Sequence, residues 1–343
     1  MLRDYESFDD IGGSLTRFVE KGWNFGGNSP VIQTIGRFGT YGFRSADNSV
    51  FFSKDYDAQP TWIIGFAFTN NVISSASFIC AFYDTVGANY QISLTLDGAG
   101  RIQLRRGAGG GTILATGTKL LLPGIYNYIE VKLTIHDSTG SAEVRVNELT
   151  DITVSGVDTK NTSNASADRI YFHEISGTHR GYYDDIYVCD GQGSAPFNDF
   201  LGDCRVQSLL PSGNGNSSQL VGQDADSTNN YQNVDDPTGP DDDTTYNESS
   251  TVGNKDTYVY GDLESGSGTV YAVKPNIRAK KDDAGARSIA SVARLSGTEV
   301  DSSNASIGTS YGYYSDIRTT KPGGGTWSIA DVNNAEFGVK ITA

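Results

Sequence analysis

The densest gathering of groups able to do chemistry lies between positions 173 and 185: His173, Glu174, His179, Arg180, Asp184 and Asp185. A histidine, a carboxylate and an arginine held together can move a proton and steady an anionic intermediate, as a polysaccharide lyase or hydrolase requires. The plainer reading makes them polar strand ends around the turn Ser176-Gly177-Thr178, and it is the one adopted. In an alternating strand one of the two aspartates faces outward and the other sideways or inward. A carboxylate taken out of water needs a partner, whether Arg180, backbone N–H groups or an ion. Glu130 and Glu143 fall on neighbouring expected strands, each two residues from a cation (Lys132, Arg145), and read as solvent-face residues with cross-strand partners. Tyr311, Tyr313, Tyr314 and Trp327 form a second group. Flat rings can stack on a sugar, which makes Tyr311, Tyr313 and Trp327 the candidate glycan-binding residues, but the same rings can serve as core or interface anchors.

Other candidates carry less. His173 and His179 are six apart across a turn, which is not a zinc spacing. Cys80, Cys189 and Cys204 are three and widely spaced, so they frame neither a disulfide scaffold nor a metal site. A Cys189–Cys204 bridge stays open as an alternative to reduced thiols. The run Asp241-Asp242-Asp243 reads as a solvated loop rather than a calcium cage, and the glycines at 107–111 and 323–325 as loop tips rather than a phosphate cradle.

Composition limits the partners. The formal charge is −15, which argues against nucleic acid or an anionic membrane and fits an acidic surface that keeps the chain dispersed. The start, Met1-Leu2-Arg3-Asp4-Tyr5-Glu6, has no apolar leader, and no window approaches the ~20 apolar residues of a membrane span. With 19 Tyr, 15 Phe, 41 Gly and 1 Met in 343 residues, the expectation is an all-β protein of two domains.

The elements that must position these residues follow from alternation. Thr61–Phe68 reads as a strand. Tyr90–Leu96 and Arg101–Arg105 flank Asp97-Gly98 and predict a hairpin. Tyr128–His136 and Ala142–Asn147 predict another, and Asp168–His173 and Tyr183–Val188 complete a sandwich or barrel. The first domain is expected over 1–205. Residues 206–245, polar and rich in Gly, Asn and Asp, are expected to be a connector. A smaller β domain is expected over 246–343, with strands at 256–260, 269–279, 288–294 and 335–341 and one helical turn capped by Ser328.

Two stretches carry a resemblance. The corner Pro123-Gly124-Ile125-Tyr126, the strand Tyr128-Ile129-Glu130-Val131-Lys132-Leu133 and the terminal Tyr183-Asp184-Asp185-Ile186-Tyr187-Val188 resemble the concanavalin A-like lectin/laminin-G superfamily over roughly the first 200 residues. This implies an N-terminal jelly roll. It also implies calcium as the one ion to consider, at Asp184 or Asp185, where laminin-G-like proteins sometimes place a ligand. Glycosidases of that fold present Glu-x-Asp-x-x-Glu from one strand, so that one carboxylate is acid and another nucleophile; the spacing does not occur here.

The second stretch runs from Phe197-Asn198-Asp199-Phe200-Leu201-Gly202-Asp203-Cys204 through Asp256-Thr257-Tyr258 and Lys280-Lys281-Asp282-Asp283 to Thr326-Trp327-Ser328-Ile329. In that order these motifs resemble uncharacterised structural proteins of tailed bacteriophages. The expectation is a non-enzymatic virion protein, assembled in the host cytoplasm, at the tail, baseplate or fibre or decorating the capsid. Its partners would be other virion proteins and copies of itself. A receptor-binding lectin for host surface glycan is the alternative, and a polysaccharide depolymerase comes third.

Overall fold

The structure, a computed structural model, describes residues 1–27, 30–46, 50–72, 77–173 and 180–343. The chain divides into two compact units, Met1–Val206 and Gln207–Ala343. Both are built almost wholly of antiparallel sheet, and no helix among the described residues is long and apolar enough to cross a membrane.

The first unit is a jelly-roll sandwich. Its first sheet runs Leu149–Val157, Gly140–Val146, Asn127–Thr134, Thr61–Asn70, Arg180–Asp190, Tyr41–Ala46 and Val31–Thr34, with Leu2–Glu6 also paired to Arg180–Asp190. Its second sheet runs Thr112–Leu120, Arg101–Arg106, Asn89–Leu96, Ser77–Asp84, Ala167–His173, Phe51–Gln59 and Trp23–Gly26. Both expected hairpins are present, Asn89–Leu96 against Arg101–Arg106 and Asn127–Thr134 against Gly140–Val146.

Alternation sends one side chain in two to the interior. There Phe52 meets Phe43 at 4.2 Å and Phe172 at 4.7 Å between ring centres, and Phe18 stacks on Trp23 at 5.5 Å. Each such ring, fully withdrawn from water, stabilises the fold by about 2–3 kcal/mol. The helix Leu15–Glu20, not foreseen, is capped by Ser14 and brings Phe18 into this core. All three cysteines are free, so the bridge between Cys189 and Cys204 is not formed.

The second unit holds a sheet in the order Pro211–Ser218, Lys255–Tyr260, Glu336–Ile341, Ser288–Leu295 and Thr298–Asp301. The expected helical turn is there: Ile329–Asn333, with Ser328 and Asp331 in a reciprocal capping box. Nearly all of the stretch read as a connector, from Gln207 on, falls within this unit. Residues 211–218 form the edge strand of this sheet, and 230–233 a 3-10 turn. An edge strand needs a hydrogen-bonding partner on one side only, so a polar sequence can fill it. The following corner is then held by buried Asp256, whose carboxylate accepts from Gln219 N, Leu220 N and Asn230 Nδ2 at 2.6–2.8 Å.

Candidate functional site

The aspartate pair sits mid-strand in Arg180–Asp190, where the pairing with Thr61–Asn70 slips by a bulge between Asp184 and Tyr187. Asp185 takes a left-handed φ of 51°, and the slip puts both aspartates out of water, each 1% exposed. Asp184 accepts from Arg37 N with one oxygen and from Asp185 N with the other, both at 2.8 Å. Gly36 makes the first contact possible, since a Cβ there would stand 2.7 Å from that oxygen. Asp185 accepts from Val206 N at 2.8 Å, and its second oxygen faces the Arg37 guanidinium at 3.8 Å. Burial pushes both carboxyls upward. For Asp184 its neighbour Asp185 adds to the rise, while for Asp185 the cation of Arg37 works against it. Asp9, pushed up to about 6 chiefly by burial, stands close to both.

The residues that close over this face come from the end of the unit. Arg37 reaches Asp203 (Nη2 to Oδ2, 2.6 Å), and its guanidinium lies over the Tyr128 ring at 5.4 Å. Glu130 is fully buried, accepting from Tyr187 OH at 2.5 Å and from Gly202 N at 2.8 Å. Tyr187 OH in turn accepts from Leu201 N at 3.2 Å. The Tyr187 ring lies flat over Gly65, where a Cβ would come within 2.1 Å of it. Lys132 pairs with Asp199 and Arg145 covers the Phe200 ring at 4.1 Å. Residues 199–206 are thus a strap across the outer face of the first sheet. This corrects the expectation for Glu130, which faces the strap and not solvent. Glu143 does sit with Arg145, at 2.8 Å.

Three of the four oxygens of the aspartate pair therefore serve the main chain, and none of the described residues forms a group of three or more side chains able to hold a metal. Backbone N–H groups and Arg37 answer these carboxylates, where the resemblance makes calcium the one ion to consider. Arg180 opens the strand and gives its N–H to Asn71 at 2.7 Å. Glu174 and His179 lie outside the described residues, as does the side chain of His173, which ends strand Ala167–His173.

The second candidate group separates. Trp327 is 3% exposed, packed on Phe337 with its indole N–H donated to Arg318 O at 3.0 Å, so it is a core residue and no sugar platform. The cause is the short pairing of Val270 with Trp327, which turns the indole inward. Tyr311 and Tyr313 both lie against Arg278, at 5.1 and 5.3 Å, on the two-stranded ribbon of Asn276–Ala279 and Gly312–Ser315. The acidic run is their partner and not a free loop: Asp242 pairs with Arg278 at 2.6 Å, Asp243 with Lys280 and with Tyr311 OH. The run stays at the surface as a solvated loop, the Asp243 side chain being 71% exposed.

One surface escaped the reading of the sequence. On the outer face of the second sheet Tyr83, Tyr90 and Tyr171 stand edge to face, their ring centres 5.0–5.6 Å apart, with Phe51 and Phe78 against them. The available signal was the adjacent aromatics Phe51-Phe52, Phe82-Tyr83 and Tyr171-Phe172, since neighbours in a strand supply rings to both faces.

No family model matches the chain, and no curated protein matches it. Among solved structures it is similar to the cellulose-induced protein Cip1 (14% identity, TM-score 0.41), covering 55% of this chain and 97% of that one. It is similar to the alginate lyase Aly36B (12%, TM-score 0.36; 54% and 95%). A carbohydrate esterase from the Shiga toxin-encoding bacteriophage phi24B gives 12% and 0.38, covering 54% and 98%. These are similarities of strand arrangement over about half of the chain.

Proposed function

We propose that this chain is a structural component of a tailed-bacteriophage particle, at the tail, baseplate or fibre or as a capsid decoration. It works by binding other virion subunits and copies of itself. The observation that carries the reading is an apolar rim on the first unit. Leu120, Leu122, Ile125 and Leu149 are each more than half exposed. They are held near one another, because Lys119 donates to Leu149 O and Val146 O while Asn127 links Ile125 to Asn147. Aliphatic side chains gathered in this way on an otherwise acidic, charged surface mark a protein contact. The resemblance of the motif order to structural proteins of tailed bacteriophages supports the same reading. So does the use of the buried carboxylates to hold a strap rather than to face a substrate.

The test is quantitative mass spectrometry of purified particles made with the wild-type chain and with Leu122→Glu/Leu149→Glu. The wild type should be present in a fixed copy number and the variant depleted about tenfold or more, while folding alone as well as the wild type. Absence of the wild-type chain from particles would overturn the proposal.

A further inference from the structure

The outer face of the second sheet carries chemistry that an assembly role does not use. Tyr171 pairs across the sheet with Ala81, Ala81 with Ser93, and Ser93 with Arg105. These four positions form one line perpendicular to the strands, roughly 14 Å long at ~4.8 Å per strand. Ala81 and Ser93 are fully buried and Tyr171 is 9% exposed, so the surface of the line belongs to the half-buried Tyr83 and Tyr90 packed on Tyr171 at one end and to the guanidinium at the other. The three rings are neighbours, their centres 5.0–5.6 Å apart. Tyr90 is pushed up to about 12 by burial and then by Tyr171 and Tyr83, and Tyr171 OH accepts from Arg169 Nη1 at 3.2 Å.

The charges on this face are unequal in their pairing. Arg169 is paired with Asp55 and Arg101 with Asp97. Arg105 donates to Thr95 Oγ1, Gly111 O and Gln103 Oε1 at 3.1, 3.0 and 2.6 Å, and among the described residues none of its hydrogen bonds goes to a carboxylate. In a chain of net charge −15, a partly exposed arginine held by neutral acceptors is a cation left for an external anion.

We infer that this face binds an acidic saccharide, with Tyr83 and Tyr90, backed by the buried Tyr171, receiving sugar rings and hydroxyls and Arg105 receiving a sugar carboxylate. Phenols suit a polyol because each offers an apolar ring edge and a hydroxyl that both donates and accepts. The distance from the phenols to the guanidinium calls for an oligosaccharide rather than a single sugar. Arg105 supplies the preference for a charged chain over a neutral one. In the second unit the rings of Tyr311 and Tyr313 are occupied by Arg278 and Lys280, as that of Tyr171 is here by Arg169 at 5.7 Å, which leaves Tyr83 and Tyr90 for the sugar.

The experiment is calorimetric titration of the full chain with a tetragalacturonate, with sialyllactose, and with a neutral galactose tetramer. The acidic tetramer should bind at least about tenfold tighter than the neutral one. Sialyllactose tells whether a single terminal carboxylate is enough. Arg105→Gln should erase the preference for acid while leaving the weak neutral binding in place, and Arg105→Lys should restore part of it. Tyr90→Ala should weaken both tetramers about tenfold, with circular dichroism showing that the fold persists. No saturable binding of any of the three sugars, or an acid preference that survives Arg105→Gln, would overturn the inference. Neither result bears on the presence of the chain in particles.

Discussion

The two outer faces of the sandwich use similar residue types to opposite ends. On the first sheet Glu130, Asp185, Tyr128 and Tyr187 lie beneath residues 199–206 and Asp184 against residues 36–40, and the cations Arg37, Lys132 and Arg145 each have a carboxylate in reach. On the second sheet Tyr83 and Tyr90 are only partly withdrawn from water and Arg105 has neutral partners. The contrast separates polar groups that hold shape from polar groups that are left to recognise something. A buried carboxylate whose oxygens take main-chain N–H groups is a fastener. An arginine with no anion is an offer.

The comparison breaks most readily at the fastener. Glu130→Ala strands Tyr187 OH and the Gly202 N–H in a buried place, so it should cost about 3 kcal/mol in urea unfolding, whereas Glu130→Gln keeps an acceptor and should cost less than half of that. Gly65→Ala drives a methyl into the Tyr187 ring and should cost about 2 kcal/mol, with the strap becoming cleavable by protease near 199–206.

The effect of pH should be next in size. Asp9, Asp184, Asp185 and Glu130 are all raised by burial, so the folded state holds extra protons. Their contribution to stability is full below about pH 4 and is lost as pH rises through the raised values, near 6 for Asp9. Stability should fall between pH 5 and pH 8, and Asp9→Asn should flatten part of that slope. A slope of the opposite sign would show these carboxyls to be held ionised. Smallest of all, Arg105→Gln should shift stability by no more than ~0.5 kcal/mol, because the residue is partly exposed and its partners are neutral.

Much of this was legible in the sequence. The alternation on either side of Asp97-Gly98 fixed a hairpin, Ser328 marked the helical turn, and Asp184-Asp185 pointed to the strand that carries the buried pair. What escaped was which face would be covered, and by what. Alternation assigns Glu130 to an outward face, but the main-chain N–H that buries it belongs to Gly202, 72 residues away. Trp327 shows the same limit. An aromatic side chain in a polar, Gly-rich setting can be a sugar platform or, on the favoured reading, a core anchor, and the pairing with Val270 inside the core cluster makes it the anchor. The segment 206–245 looked unable to fold because its own apolar content is low, and it folds because Asp256 and the strand Lys255–Tyr260 satisfy its backbone.

The central claim is that the chain acts by contact inside a phage particle, and electron cryo-microscopy of the intact particle tests it most directly. The account predicts density for this fold in repeated copies, with Leu120, Leu122, Ile125 and Leu149 buried against a neighbouring subunit. A particle without the chain, or one in which that rim faces solvent in every copy, would contradict it.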